Sequence, residues 1–132
     1  MELLAPVGTE EALKAAIAGG ADAVYLGGKS FGARHFASNF SDRLLAGAIE
    51  LTHDHGMRTY VTVNTLIKEA EMADALSFVE MLDASGADAV IVQDRGLLPL
   101  IKERYSIPVH ASTQMAIHSS AGVRWAQDQG IE

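Results

Sequence analysis

The run Val109–Met115, VHASTQM, begins apolar and turns polar where a strand should finish. Side chains alternate across a strand, so His110, Ser112 and Gln114 share one side and Val109, Ala111 and Thr113 the other. An imidazole, a hydroxyl and an amide in one row can orient a polar ligand by hydrogen bonds, and the imidazole can move a proton. In RTYVTVN the same alternation gathers Tyr60, Thr62 and Asn64 opposite Val61 and Val63. A third apolar run, ADAVIVQD, finishes on Gln93 and Asp94. Asp94 reads either as a carboxylate for proton transfer or ligand anchoring, or as the N-terminal cap of the next helix.

Gly27 and Gly28 close the run DAVYLGG; there they either admit a ligand close to the backbone or make a tight turn. The segment GGKSFGAR lacks the spacing of a phosphate loop. Arg34, in the connection that follows, can grip a carboxylate or phosphate with its planar fork, or is simply an exposed loop arginine. His53 and His55 fall in the last turn of a helix, where positive charge suits the dipole. His110 and His118 have no zinc-motif spacing. No metal site is expected. No order of Ser, His and Asp here identifies a catalytic triad.

These residues need elements that bring them to one end of the molecule. ELLAP is a short strand, and GTEEALKAAIAGG is a helix with acidic residues in its first turn, Leu13, Ala16 and Ile17 at helical spacing, and a glycine stop. DAVYLGG, RTYVTVN, ADAVIVQD and IPVHASTQM are the later strands. They alternate with the helices DRLLAGAIELTHDHG, capped by Ser41, EAEMADALSFVEMLDASG, RGLLPLIKERY and SSAGVRWAQDQG. Leu76, Val79 and Leu82 line one helix face, and Pro99 falls in the first turns of its helix, where proline disturbs little.

Five βα units in sequence imply an α/β fold with a parallel sheet and right-handed crossovers. A closed (β/α) barrel has eight strands and typically about 250 residues. The 132 residues therefore read as one partial domain, half to five-eighths of such a barrel, with DQGIE approaching a sixth strand. Ligands bind at the C-terminal ends of parallel strands, where the polar residues above cluster. With helices covering the outside, their polar faces are expected to point inward; a solvent-facing stripe is the alternative. The phrase Ala21-Asp22-Ala23-Val24 recurs as Ala87-Asp88-Ala89-Val90. It is either a common helix-stop, strand-start phrase or a trace of duplication, and marks equivalent junctions either way.

The chain has 48% hydrophobic and 20% charged residues and no apolar run of membrane-helix length. It reads as globular and cytoplasmic, with no membrane partner. A formal net charge of -7 argues against a broad basic surface for nucleic acid. Without cysteine there are no disulfides, thiol nucleophiles or thiolate-held clusters. The first and fifth strands would have open edges, so a second copy or a complementary half-barrel is the expected partner.

The phrases ELLAPVGTEEALKAAIAGGADAVYLGG, FGARHFASNF, YVTVN, GADAVIVQDRG and VHASTQMAIHSSAG, in that order, resemble those of the collagenase-like peptidase family U32. The resemblance covers nearly the whole chain and implies the N-terminal part of a TIM-type barrel. Members carry a peptidase label, while others hydroxylate RNA bases or act in oxygen-independent quinone hydroxylation. The implied function is half of a substrate pocket for RNA-base hydroxylation, inactive alone; a collagenase-like protease and a non-enzymatic, self-associating half-barrel are the alternatives.

In the hydroxylases the resemblance implies an iron-sulfur cluster on cysteines that this chain lacks, so no cofactor is expected on these residues. It also implies prephenate, a small dianion, as oxygen donor, and RNA only in the context of a complete protein. Arg34, Asn64, Gln93, Asp94, His110, Ser112 and Gln114 would line the barrel mouth, with Gly27 and Gly28 beside them. Arg34 would bind the anionic group, the amides, Ser112 and His110 would orient the substrate, and Asp94 or His110 would serve as the catalytic proton-transfer group.

Overall fold

A computed structural model describes residues 1–33 and 40–132. Its elements are β1 (Leu4–Pro6), α1 (Glu10–Ala18), β2 (Ala23–Gly27), α2 (Asp42–Asp54), β3 (Arg58–Val63), α3 (Met72–Ala84), β4 (Ala89–Val92), α4 (Leu97–Arg104), β5 (Val109–Ala111) and α5 (Ser120–Asp128). Short 3-10 turns precede α3 (Glu69–Glu71) and follow β5 (Thr113–Met115). The five strands form one parallel sheet in the order β1-β2-β3-β4-β5. This is an α/β fold, five consecutive units of a (β/α) barrel. None of the described helices is long and apolar enough to cross a membrane.

Local chemistry fixes the units. Thr9, Ser41 and Ser119 cap α1, α2 and α5 by accepting from the N–H of Ala12, Leu44 and Gly122, which satisfies donors a helix start leaves unpaired. Gly20, Gly56, Gly86 and Gly130 follow their helices with φ of 72°, 69°, 80° and 72°, a left-handed turn that glycine adopts without steric cost. Each is followed by a buried apolar residue, Ala21, Met57, Ala87 or Ile131. The next residue then pairs with the preceding strand: Asp22, Arg58, Asp88 and Glu132 donate to the carbonyls of Leu3, Asp22, Thr59 and Val109 at 2.9 to 3.1 Å. DQGIE thus repeats the approach to a strand, beside β5.

The two faces of the sheet differ. Val24, Leu26, Val61, Val63, Val90 and Val92 point toward the helices and pack with Leu45, Ile49, Val79, Leu82, Leu97 and Ile101. Burying each such side chain contributes about 2 kcal/mol. The other, concave face carries Ala23, Tyr60 and Ala89 with Tyr25 and Ile91 half-buried beside them. Register places Gly27, Thr62, Ile91 and His110 in one row across β2 to β5. The polar residues of the alternating strands therefore do face inward.

Candidate functional site

An open cleft of about 540 Å³ lies at the C-terminal ends of the strands. Its walls come from the end of β1 and the turn after it (Pro6, Val7, Gly8), from Tyr25, Leu26 and Gly27 of β2 with Gly32 and Ala33 beyond it, from Thr62 of β3 with Asn64 just after it, and from Thr113 and Gln114 after β5. None of the described lining residues carries a formal charge. Phenol, hydroxyl and amide groups make it a surface for a neutral hydrogen-bonding group.

Asn64 is the centre of this arrangement. Its Oδ1 accepts from the Ala33 N–H at 2.9 Å and its Nδ2 donates to Ser112 Oγ at 3.3 Å. One amide thus ties the loop after β2 to the end of β5 across the mouth. A second tie, Thr65 Oγ1 to the Phe31 carbonyl at 3.3 Å, holds the same loop. Phe31 has φ of 59°, a left-handed conformation that costs a bulky residue energy and persists only where surroundings impose it. These two ties and the 6.1 Å contact of Phe31 with Phe78 supply that imposition.

Of the residues expected at the mouth, Gly27, Asn64 and Gln114 line the cleft. Ser112 lies just behind it, 4% exposed, its Oγ accepting from Asn64 Nδ2 and from the Gln114 N–H at 3.2 Å. The expected single row of His110, Ser112 and Gln114 is broken. β5 ends at Ala111, and Ser112 caps a 3-10 turn that swings Thr113 and Gln114 into the cleft. A serine at a strand end competes for backbone N–H groups, and here that competition ends the alternation.

His110 is half-buried on the concave face, in the row of Gly27 and Thr62, with its ring edge-on to Tyr60 at 4.7 Å, and is not among the residues lining the cleft. Gln93 is half-buried and also outside that lining.

Two expectations require correction. Asp94 does not reach the cleft: Oδ1 accepts from the N–H of Gly96 and Leu97 at 2.8 and 2.9 Å, and Oδ2 from that of Ile67 at 3.1 Å. Its carboxylate serves as the cap of α4 and a tie to the loop after β3. Gly28 faces the helices, where an added Cβ would lie 2.8 Å from Phe78 and 3.2 Å from Leu45. It is glycine to let α3 and α2 approach the sheet, not to admit a ligand. Arg34, next in sequence to the lining Ala33, lies outside the described residues.

Sequence reasoning left Tyr25 and Thr113 out of the site. Tyr25 was legible from its alternation with Val24 and Leu26, whereas Thr113 enters only because the strand stops early.

Lower on the concave face, Tyr60 donates its hydroxyl to the Glu2 carboxylate at 2.9 and 3.1 Å, and Glu2 also pairs with Arg58. Burial, with the hydrogen bond and charge of Glu2, holds the Tyr60 phenol above its ordinary value of 10.0. For a thiolate-held cluster the donors do not fit: the sequence has no cysteine. Among the described residues no three His, Asp or Glu side chains gather as a metal site.

The model of peptidase family U32 matches residues 8–132. The chain is 40% identical to a 23S rRNA 5-hydroxycytidine synthase of Escherichia coli, over 99% of this chain and 20% of that protein. It is 33% identical to tRNA hydroxylation protein P1 of Bacillus subtilis, over 99% and 31%, and 34% identical to a collagenase of Porphyromonas gingivalis, over 94% and 30%. The chain thus spans a fifth to a third of these relatives. Among solved structures, a U32 peptidase superposes with a TM-score of 0.78 at 12% identity, covering 99% of this chain and 56% of that one. A phosphonopyruvate hydrolase superposes at 0.65 and 17% identity, covering 99% and 52%; both likenesses speak to the fold alone. With the family model covering nearly every residue, the chain belongs to peptidase family U32.

Proposed function

We propose that this chain contributes part of the substrate pocket of a (β/α)-barrel enzyme of the RNA-base hydroxylation type, acting in the cytoplasm, and that these residues do not turn over substrate alone. The observation that carries the reading is the amide- and hydroxyl-lined cleft braced by Asn64, whose described lining residues carry no formal charge. A nucleobase is neutral, planar and rich in donors and acceptors, which Thr62, Thr113 and Gln114 suit. The names of the rRNA- and tRNA-modifying relatives support it.

In this reading Asn64 is a positioning residue and Gln114 a binding residue. His110 acts on a group that reaches past the cleft lining along the concave face, Gln93 orients that group, and Arg34 holds a small dianionic co-substrate such as prephenate. The oxidation chemistry belongs to groups outside these residues, and no step is assigned to a cluster here. Nucleoside mass spectrometry of tRNA and rRNA from cells with and without the gene tests the reading: loss of a hydroxylated nucleoside is expected, and unchanged nucleosides overturn it. For the co-substrate, Arg34→Ala is expected to abolish the calorimetric signal of prephenate binding, and equal signals would remove it from the scheme.

The peptidase reading draws on the collagenase relative. Ser112 speaks against it as a nucleophile, because its buried Oγ accepts two N–H bonds and no histidine is among its partners in the described residues.

A further inference from the structure

Arg95 stands in the turn between β4 and α4, exposed, with its guanidinium 5.0 Å above the centre of the Trp125 ring on α5. The indole is half-buried and packs against the main core, with the Arg95 guanidinium over its ring. The turn is rigid on the other side as well: Asp94 binds the N–H of Gly96, Leu97 and Ile67, which fixes the backbone on both flanks of Arg95 and ties it to the β3 end.

Among the described residues Arg95 makes no ion pair and no side-chain hydrogen bond, although every acidic residue of the chain is described. An exposed guanidinium held over an indole is an arginine whose rotamer is settled in advance. Exposed Arg124 adjoins Trp125 on α5, and exposed Lys68 lies one residue beyond Ile67 in the adjoining loop.

Chemistry on a base requires the base to leave its stack and enter a pocket. The strand left outside must then be held by groups on the rim, and unpaired bases stack on aromatic rings and on guanidinium planes. We infer that the Arg95–Trp125 stack is an RNA contact on the outer shoulder of the cleft. Its guanidinium takes an unpaired base flanking the one in the pocket on its outer plane, and a neighbouring phosphate on its N–H groups. This rests on the RNA reading above. It also fits a chain with net charge -7, in which affinity must come from a few preorganised contacts rather than from a basic field.

The test is fluorescence anisotropy of the protein with a stem-loop RNA carrying an unpaired loop, and with a fully paired duplex of the same composition. The wild type is expected to prefer the stem-loop, and Arg95→Ala to weaken that binding about tenfold while leaving the duplex unaffected. Arg95→Lys should restore only part of the loss, because an ammonium keeps the charge but not the plane. Trp125→Leu should give an intermediate loss, with circular dichroism confirming the fold. Stem-loop binding by Arg95→Ala equal to wild type overturns the inference while leaving the RNA reading in place. Absence of stem-loop binding by the wild type also overturns the inference, while the RNA reading stands or falls with the nucleoside comparison. Full restoration by lysine also overturns the stacking role.

Discussion

Asp22 and Asp88 hold the same position in two different βα units. Asp22 accepts from the Leu3 N–H at 2.6 Å and donates its own N–H to the Leu3 carbonyl at 2.9 Å; Asp88 does the same to Thr59 at 2.7 and 2.9 Å. Each aspartate therefore locks the start of one strand onto the start of the strand before it. The repeated phrase around them marks equivalent junctions in space. Among the described residues only the Asp88 carboxylate has a further partner, His53, whose Nε2 lies 2.9 Å from Oδ2 and whose helix is thereby tied to the start of β4.

That difference predicts unequal costs. Asp22→Ala should lower unfolding stability by about 1 kcal/mol and Asp88→Ala by about 2 kcal/mol, since hydrogen bonds to a charged group are worth more when less solvated. Urea denaturation compares the two. Equal midpoints would show that the His53 link adds nothing.

Gly28→Ala should destabilise the fold by about 2 kcal/mol, because its Cβ would press on Phe78 and Leu45. Phe78→Leu in the same chain should recover part of that loss. Thermal melts of the single and double variants decide it, and an unchanged Gly28→Ala melt would refute the packing role.

Ser112→Ala leaves Asn64 Nδ2 and the Gln114 N–H without their acceptor. A stability loss of about 1 kcal/mol is expected, with any gelatin-degrading activity unaffected. Loss of such activity in a variant that remains folded would bring the peptidase reading back.

The Tyr60 phenol, 5% exposed and bonded to Glu2, ionises less readily folded than unfolded. Its contribution to stability is complete below the unfolded value near 10 and is lost as pH rises through the higher folded value. Stability should thus fall on the alkaline side, and Tyr60→Phe should flatten that fall. Denaturation midpoints measured across that range would contradict the assignment if the two proteins declined in parallel.

β1 and β5 flank the described sheet, and Leu4 on β1 is 41% exposed. We expect these 132 residues alone to associate with a second copy or with a complementary half-barrel. Light scattering at high concentration should give a mass well above 14.0 kDa; a monodisperse monomer would exclude the second copy.

The sequence by itself determined the class of fold and the end of it that matters. The cap at Ser41, glycines at 20, 56, 86 and 130, and the alternation in β2 and β3 are local signals. They are legible because each rests on neighbours within a few residues. What the sequence left open was which polar residues meet.

Asp94 could cap or catalyse, and only the placement of the Ile67, Gly96 and Leu97 N–H groups around it decided for the cap. Gly28 owes its identity to Phe78, fifty residues away in the chain. The row begun by His110 ended at Ser112 because a side chain found backbone donors that the strand had no use for. Tertiary structure decided these points because hydrogen-bond partners and steric limits from distant segments, not strand periodicity, set where each polar group's bonds are spent.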